Sequence, residues 1–463
     1  MVADLAIYTV VHQPRRLKLP AQSIPRGASI EDITRCLFDE RMNERYFKKV
    51  ARYSYAPALS MFQELVQRGL RLSIGFSLSF IRQAEQWDPD LLDRFRALVA
   101  EENVELIGVE PYHSFLFLFD LPAFVQDMQW MAGEMERIFG KRPTVTDTTE
   151  MAMSAGIYDA LDTAGFRGAL MDGRKWVLDW REPTHLYRNG DEGPYPLPIQ
   201  TKPPRRKADT PSVRESAPYL LARHVSLSDD VGYRFSNRNW DRYPLLAHTY
   251  ADWIAQTPGE FVLLGWDFET FGEHHRRETG IFQFMRMLAL ELDRHGIATR
   301  TPGELIDRYG ACERTYYLPL PVFPSTWAGS GGMDFFLGNS AQQSIYQLMG
   351  HVYNEAKLTE NPALLNLAHW MAQSDNLHLI QWYGRGGPEA EVSSYFTPHE
   401  WWSLGSQGII EQQQQVYINL LHAMQPYLPI RASRRAARNK RSPRAKTRKR
   451  DLAFETEMEV EVR

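Results

Sequence analysis

The first 310 residues alternate short apolar runs with amphipathic stretches. Seven runs read as strands: Leu5–Val11, Leu70–Ser77, Val104–Val109, Thr144–Thr148, Gly168–Asp172, Tyr219–Val225 and Phe261–Trp266. They are apolar almost throughout and do not alternate in and out, which is how strands covered on both faces look. Between them, residues 43–52, 56–69, 88–102, 120–139, 154–164, 242–257 and 280–295 carry apolar positions at helical spacing. Alternating β and α elements predict a parallel sheet, open or closed into a barrel.

Two long stretches break the alternation. One, 175–216, is rich in Pro, Gly and charge; the other, 226–239, follows the sixth run. Loops of this length inside a compact domain are lids, binding loops or unstructured segments. Near residue 318 the character changes to a loop rich in Gly, Pro and aromatics. Three helical patterns follow, near 340–358, 361–375 and 399–427. The predicted organisation is a catalytic domain over 1–315, a helical region over 316–429 and a tail over 430–463, basic and then acidic.

A chain of 463 residues suits one large domain with an addition. Aromatics are 12% of it, including 12 Trp and 21 Tyr. Such rings fill cores, and they also stack on the apolar face of a sugar. The two cysteines, Cys36 and Cys312, form no CxxC pair, which argues against a cysteine zinc site and fits a reducing compartment. The N-terminus has no basic segment leading into an apolar one, and no run is long enough to span a membrane, so a cytoplasmic protein is expected. Residues 431–450 hold eleven Lys or Arg and no acid; the remainder has 42 basic and 57 acidic residues. The acidic body is a poor nucleic-acid binder. The tail has the charge to meet an anionic partner, though the plainer and preferred reading is a solvated tail. Oligomeric state is not legible.

Polar side chains gather at the C-terminal ends of the predicted strands, the edge where parallel α/β folds build active sites. His12 and Gln13 follow the first; Glu110, Tyr112 and His113 follow the third. Asp147 and Glu150 follow the fourth; Asp267, Glu269, Glu273, His274 and His275 follow the seventh. An acid directly after an apolar strand is desolvated and suited to hold a proton, as expected of Asp267. Glu150 lies on a hydroxyl-rich turn before a helix, expected to keep it ionised. That division of labour is what glycoside cleavage needs. The plainer readings are a first-turn helix acid and a helix cap. A metal site is the competing chemistry, with His12, His113, His274 or His275 and Asp267 as ligands. The adjacent histidines cannot both face one centre from a strand, and no HExxH helix is present, so no metal is expected.

Together these residues resemble glycoside hydrolase family 57 in its α-amylase-like group, over about residues 4–427. Val11-His12-Gln13-Pro14 is similar to the family's first region. Glu105-Leu106-Ile107-Gly108 with Pro111-Tyr112-His113-Ser114 is similar to the second, and Thr148-Thr149-Glu150 to the third. Asp267-Phe268-Glu269-Thr270-Phe271-Gly272-Glu273-His274 is similar to the fourth, and Thr301-Pro302-Gly303-Glu304-Leu305 to the fifth. Gln373-Ser374-Asp375-Asn376 and Tyr395-Phe396-Thr397-Pro398 resemble a C-terminal motif of the amylase group.

The resemblance implies a (β/α)7 barrel, incomplete relative to eight strands, followed by a helical region. It implies a retaining enzyme on α-glucans or maltooligosaccharides that needs no cofactor, with Glu150 as nucleophile and Asp267 as general acid/base. His12, Gln13, Glu110, His113, Glu269, His274, Trp327 and Asp375 become expected substrate contacts. Trp176 and Trp266 are further stacking candidates, though Trp266 sits where core packing is the readier role. One departure stands out: the family's third region reads Arg-Asn-Thr-Glu, and Asp147-Thr148 stands near where the Arg-Asn pair would be. It keeps a catalytically impaired glucan-binding protein as an alternative, beside a metal-dependent carbohydrate deacetylase-like enzyme.

Overall fold

The computed structural model describes residues 2–190, 217–310 and 316–429. Residues 191–216 of the first long stretch, Cys312 with the expected boundary near 315, and the tail over 430–463 lie outside them.

Seven parallel strands form the centre: β1 (Asp4–Val11), β2 (Leu72–Phe76), β3 (Val104–Ile107), β4 (Val145–Thr146), β5 (Gly168–Asp172), β6 (Tyr219–Arg223) and β7 (Phe261–Asp267). β1 pairs with both β2 and β7, β2 with β3, β4 with β5, and β5 with β6. β3 reaches β4 through a bridge between Gly108 and Thr146, and β6 meets β7 at Arg223 and Leu263. The ring therefore closes into a seven-stranded (β/α) barrel. Every residue of β1, β2 and β5 is buried, as expected for strands with helices outside and a packed interior. Small residues admit large ones: a Cβ on Gly75 would lie 3.1 Å from the Tyr8 hydroxyl, so glycine there leaves room for Tyr8 inside the barrel.

Three short strands extend the sheet. Ala298–Thr299 runs beside the start of β1, Leu186–Asn189 lies antiparallel to β6, and Tyr316–Leu318 pairs with Leu186–Asn189. Leu186–Asn189 corrects the loop expected there: Leu186 and Tyr187 are buried apolar residues inside an otherwise polar stretch. The second stretch, 226–239, is also not a plain loop. His224 caps a helix over Val225–Asp229 by accepting from Leu227 N, and a π-helical turn over Asp230–Arg234 follows.

The expected helices near 43–52 and 56–69 are one continuous rod: Glu40–Val50, a π-helical turn over Ala51–Tyr55, then Ala56–Gln67. Pro57 has no N–H for the carbonyl of Tyr53, four residues back, and a π turn absorbs that loss. Gly272, at φ 112°, packs on that carbonyl, where a Cβ would collide.

The C-terminal helices Ser340–Leu358, Pro362–Met371 and Gly405–Met424 fall where their patterns predicted. Short helices over Asp375–His378 and Pro388–Phe396 were not expected. The region docks on the rim at the C-terminal ends of the strands. Tyr112 donates to Asn366 Oδ1 at 2.8 Å, Arg15 N donates to Gln373 Oε1 at 3.0 Å, and Ser114 bridges Gln373. Among the described residues no helix is long and apolar enough to cross a membrane.

Gly272→Ala is expected to cost at least about 2 kcal/mol, because it adds a clash to a backbone conformation only glycine adopts freely. A thermal-denaturation comparison with wild type checks this, and an unchanged unfolding temperature would refute it.

Candidate active site

The rim loops after β1, β3, β4 and β7 meet two segments from beyond the barrel, 325–332 and 373–378. β1 runs into His12. Its Nδ1 lies 2.8 Å from Ser77 Oγ, just past β2, and its Nε2 lies 2.9 Å from Asp375 Oδ2 in the helical region. His113, after β3, stacks on His12 with ring centroids 4.0 Å apart, and its Nδ1 is 2.9 Å from Ser374 Oγ. Burial and then the neighbouring His12 push the His113 pKa down to about 3, so the stacked rings are not a pair of cations.

Glu150 sits on a tight turn after β4 with φ 60°, ψ 28°, and Met151 after it has φ 50°. Two consecutive left-handed non-glycine residues cost free energy that the surroundings must offset. The offset comes from Trp327: its Nε1 donates to Glu150 Oε2 at 2.7 Å, and its backbone N donates to Glu150 O at 3.1 Å. The other oxygen, Oε1, lies 3.5 Å from Ser374 Oγ and 3.9 Å from His113 Nδ1. His113 itself has φ 54°.

Asp267 ends β7. Asp147, on the strand opposite, accepts from the Tyr8 hydroxyl at 2.8 Å and from Thr148 N at 2.7 Å. Arg223 at the end of β6 is buried, giving Nε to Gly265 O, Nη1 to Asp172 and Nη2 to Asp229 at 2.6–2.9 Å. Its guanidinium lies 5.7 Å from the Trp327 ring.

The electrostatics correct one expectation. Burial, and then the charges of Asp267, Asp375 and Asp147, raise the Glu150 pKa to about 8, although the Trp327 N–H works against them. Burial outweighs His12 and Arg223 to raise Asp267 to about 6, and it raises Asp147 to about 7. Glu150 is thus not kept ionised by its turn: the helix that follows, Ala155–Ala164, begins five residues later and is capped by Ser154, so burial decides. Asp375 goes the other way. Burial is outweighed there by His12, through charge and hydrogen bond, and then by His113 and His378, which hold it well below the usual range.

The remaining expected residues divide. Glu269 lies in the same pocket; burial and then Asp267 raise it well above the usual range, and its Oε1 is buried with no hydrogen-bond partner among the described residues. His274 is 5.8 Å from the Phe396 ring of the helical region, and burial lowers it to about 4. Gln13 is a correction: it is buried in the wall, accepting from Tyr55 at 2.9 Å while Ser79 and Gln83 donate to its carbonyl. Glu110 is another: it accepts from Ser114 N and Oγ at 2.6 and 2.9 Å and holds its own turn. Trp266 is core, donating to Ser228 O at 2.8 Å, and His275 is tied to Ser236 and Gly232. Sequence reasoning passed over Tyr8, Ser77 and Arg223, which sat inside or directly after apolar runs. The ligand atoms of His12, His113 and Asp375 lie within 4.8 Å of one another, so these three, and not the set with Asp267, form the cluster able to hold a cation.

A closed β/α barrel whose strand ends gather desolvated carboxyl groups among hydrogen-bonding side chains and an indole defines the class of glycoside-cleaving barrel enzymes. The model of glycosyl hydrolase family 57 matches residues 6–319, and this chain belongs to that family. A Methanocaldococcus jannaschii protein named "Putative alpha-amylase" is 30% identical over 400 residues, covering 84% of this chain and 78% of that one. Among solved structures, the 4-alpha-glucanotransferase of Thermococcus litoralis superposes with TM-score 0.61 at 14% identity, over 93% of this chain and 60% of that one. The GH57-type branching enzyme of Pyrococcus horikoshii does so with TM-score 0.57 at 14% identity, over 93% and 97%. At such identities the likeness speaks for the fold.

Asp375 binds protons more weakly in the folded protein than in the unfolded chain. The stability it contributes is therefore complete above the ordinary aspartate value near 4 and is lost as pH falls below it. Asp375→Asn is expected to lose about 1–3 kcal/mol at pH 7, the cost of breaking a buried charged hydrogen bond, and clearly less at pH 2, nearer the folded value. Denaturant titrations of both proteins at the two pH values check it; an equal loss at both would refute the pairing.

Proposed function

We propose that this chain is a retaining α-glucan-active glycosidase that cleaves α-1,4-glucosidic bonds, with Glu150 as nucleophile and Asp267 as general acid/base. The observation that carries the reading is the state of Glu150: buried beside Asp267, held in a left-handed turn, and gripped by Trp327 at one oxygen while the other faces the histidine pair. The alpha-amylase, 4-alpha-glucanotransferase and branching-enzyme names of the relatives support the substrate class. Strain at a carboxylate whose orientation is over-determined suits a nucleophile and is a poor use of stability for a helix acid.

The steps follow from the groups present. Glu150 Oε1 attacks the anomeric carbon while Asp267 gives its proton to the departing glycosidic oxygen, leaving a glycosyl ester. Asp267, now ionised, takes a proton from water or from a sugar hydroxyl, which displaces Glu150 with a second inversion. The mechanism requires one proton on the pair. Burial disfavours two adjacent charges, and it raises Glu150, to about 8, above Asp267, to about 6, so the single proton of the free pocket rests on Glu150 and must pass to Asp267 before attack. His12 and His113, fixed by Ser77, Asp375 and Ser374, are placed to bind sugar hydroxyls, and Glu269 in the same pocket joins them as a proposed contact. Asp375, His274 and Trp327 complete the set of proposed contacts. Gln13 and Glu110 shape the wall.

The test is a product profile from maltoheptaose. Shorter sugars alone indicate hydrolysis; longer ones as well indicate transfer. Glu150→Gln and Asp267→Asn should each lower kcat by about 1,000-fold or more. Intact maltoheptaose with wild type would overturn the proposal and favour the binding-protein reading. The His12, His113 and Asp375 cluster gives the metal reading its one observation. Chelator-insensitive activity is expected; loss restored by added zinc would favour that reading.

Trp327→Phe removes the one donor that lowers the Glu150 pKa, so that pKa rises. Attack needs Glu150 ionised, so the acidic limb of the kcat/KM profile is expected to move to higher pH, by about one unit for one charged hydrogen bond. A limb that stays in place would show that Trp327 does not set the nucleophile's charge.

A further inference from the structure

Residues 321–327 form a strip beside the turn that carries Glu150. Trp327 N donates to Glu150 O at 3.1 Å, Met153 and Ser325 exchange bonds of 3.0 and 2.9 Å, and Ala155 N donates to Pro321 O at 2.9 Å. One end of this strip grips the proposed nucleophile. The other ends in Val322 and Phe323, 83% and 82% exposed, beside Trp176 at 52%. Pro321, Val322, Phe323, Pro324, Trp176 and Tyr346 line an open groove of about 520 Å³ with no charged side chain in its lining. Arg174, two residues before Trp176, donates to Thr326 O at 3.3 Å and to Trp327 O, tying the far wall to the same strip. Such a cluster of exposed apolar rings marks a binding surface.

We infer that this groove is a second binding stretch for the glucan chain, engaging sugars beyond those held at Glu150 and Asp267. The inference rests on the glycosidase reading above. Phe323 stands four positions before Trp327, so their Cα atoms lie within about 14 Å of one another. A glucan held at the pocket needs only a few further sugars to span that distance. The lining suits such a ligand: flat aromatic faces for the C–H faces of the sugars, and no charge to desolvate against a neutral polymer. The groove selects long chains over short ones.

Phe323→Ala tests it, at a residue too exposed for its loss to threaten folding; the double variant with Trp176→Ala extends the test. kcat/KM is measured on soluble amylose and on p-nitrophenyl α-maltoside with the same enzyme preparations. Phe323→Ala should raise KM for amylose several-fold and the double variant about tenfold, while the maltoside, too short to reach the groove, reacts as with wild type. Unchanged amylose kinetics, or equal losses on both substrates, would overturn the inference. Wild type inactive on both would sink the glycosidase reading instead. Binding of β-cyclodextrin by calorimetry then decides the groove separately: weaker binding by the double variant supports it, and equal binding overturns it. A wild-type dimer that the double variant converts to a monomer would assign the face to a second copy of this chain and overturn it too.

Discussion

The pocket concentrates carboxyl groups where water is scarce, and much of the surrounding structure answers that constraint. Asp147, Glu150 and Asp267 sit at or just past strand ends, each raised by the charge of another acid, and Asp375 reaches them from the helical region. Left unpaired, each would take up a proton or destabilise the fold. The protein treats them differently. Asp375 receives His12 and stays ionised. Asp147 receives the neutral Tyr8 hydroxyl and a backbone N–H. Asp267 faces His12 and the charge of Arg223, itself neutralised by Asp172 and Asp229. Glu150 receives an indole N–H, a donor without charge. The result is a graded set of proton affinities in one cavity, with Glu150 above Asp267, so that a proton transfer between the two precedes acid/base work at a glycosidic bond.

The barrel cannot meet these demands alone. Asp375, Ser374 and Trp327 all come from beyond residue 316, and they supply the partners of His12, His113 and Glu150. The helical region is therefore part of the site's electrostatics and not an appendage to it. The bridge between Ser114 and Gln373 and the bond from Arg15 N to Gln373 fix it on the rim. Such positioning through a second layer of partners holds catalytic groups to tight tolerances.

What the sequence made legible follows from where each signal resides. Strand and helix periodicity are local, so all seven barrel strands and the main helices were readable, with ends misplaced by a few residues. Leu186–Asn189 was hidden because two buried residues among prolines and charges give no periodicity. The π turn at Ala51–Tyr55 was hidden because the apolar spacing on either side of it, over 43–52 and 56–69, reads as ordinary helix. Strand-end chemistry pointed to Glu150, Asp267, His12 and His113, and the family resemblance alone to Asp375. It also swept in Gln13 and Glu110, whose partners Tyr55 and Ser114 face them inside the wall. No local signal revealed that Trp327 reaches Glu150 across 177 positions, or that burial would overrule the hydroxyls around that acid. Pairwise bonds of that range belong to the fold and are not written in any one segment.

The acid at Asp147, where the family's third region carries an Arg-Asn pair nearby, is the sequence feature most suggestive of a damaged site. Its surroundings argue against damage. A carboxyl there is tolerable only if it can stay protonated or be paired, and burial together with the Tyr8 hydroxyl and Thr148 N provides for both. Tyr8 in turn has space because position 75 of the adjacent strand is glycine. A positive charge is still supplied to the pocket, by Arg223 from β6, whose field lowers Asp267. Arg223 thus stands on the strand beside that of Asp267 and two strands from Asp147, with every polar atom directed to a partner. A site drifting toward inactivity has no need of a buried arginine held by two carboxylates, or of a glycine that admits the tyrosine capping a third.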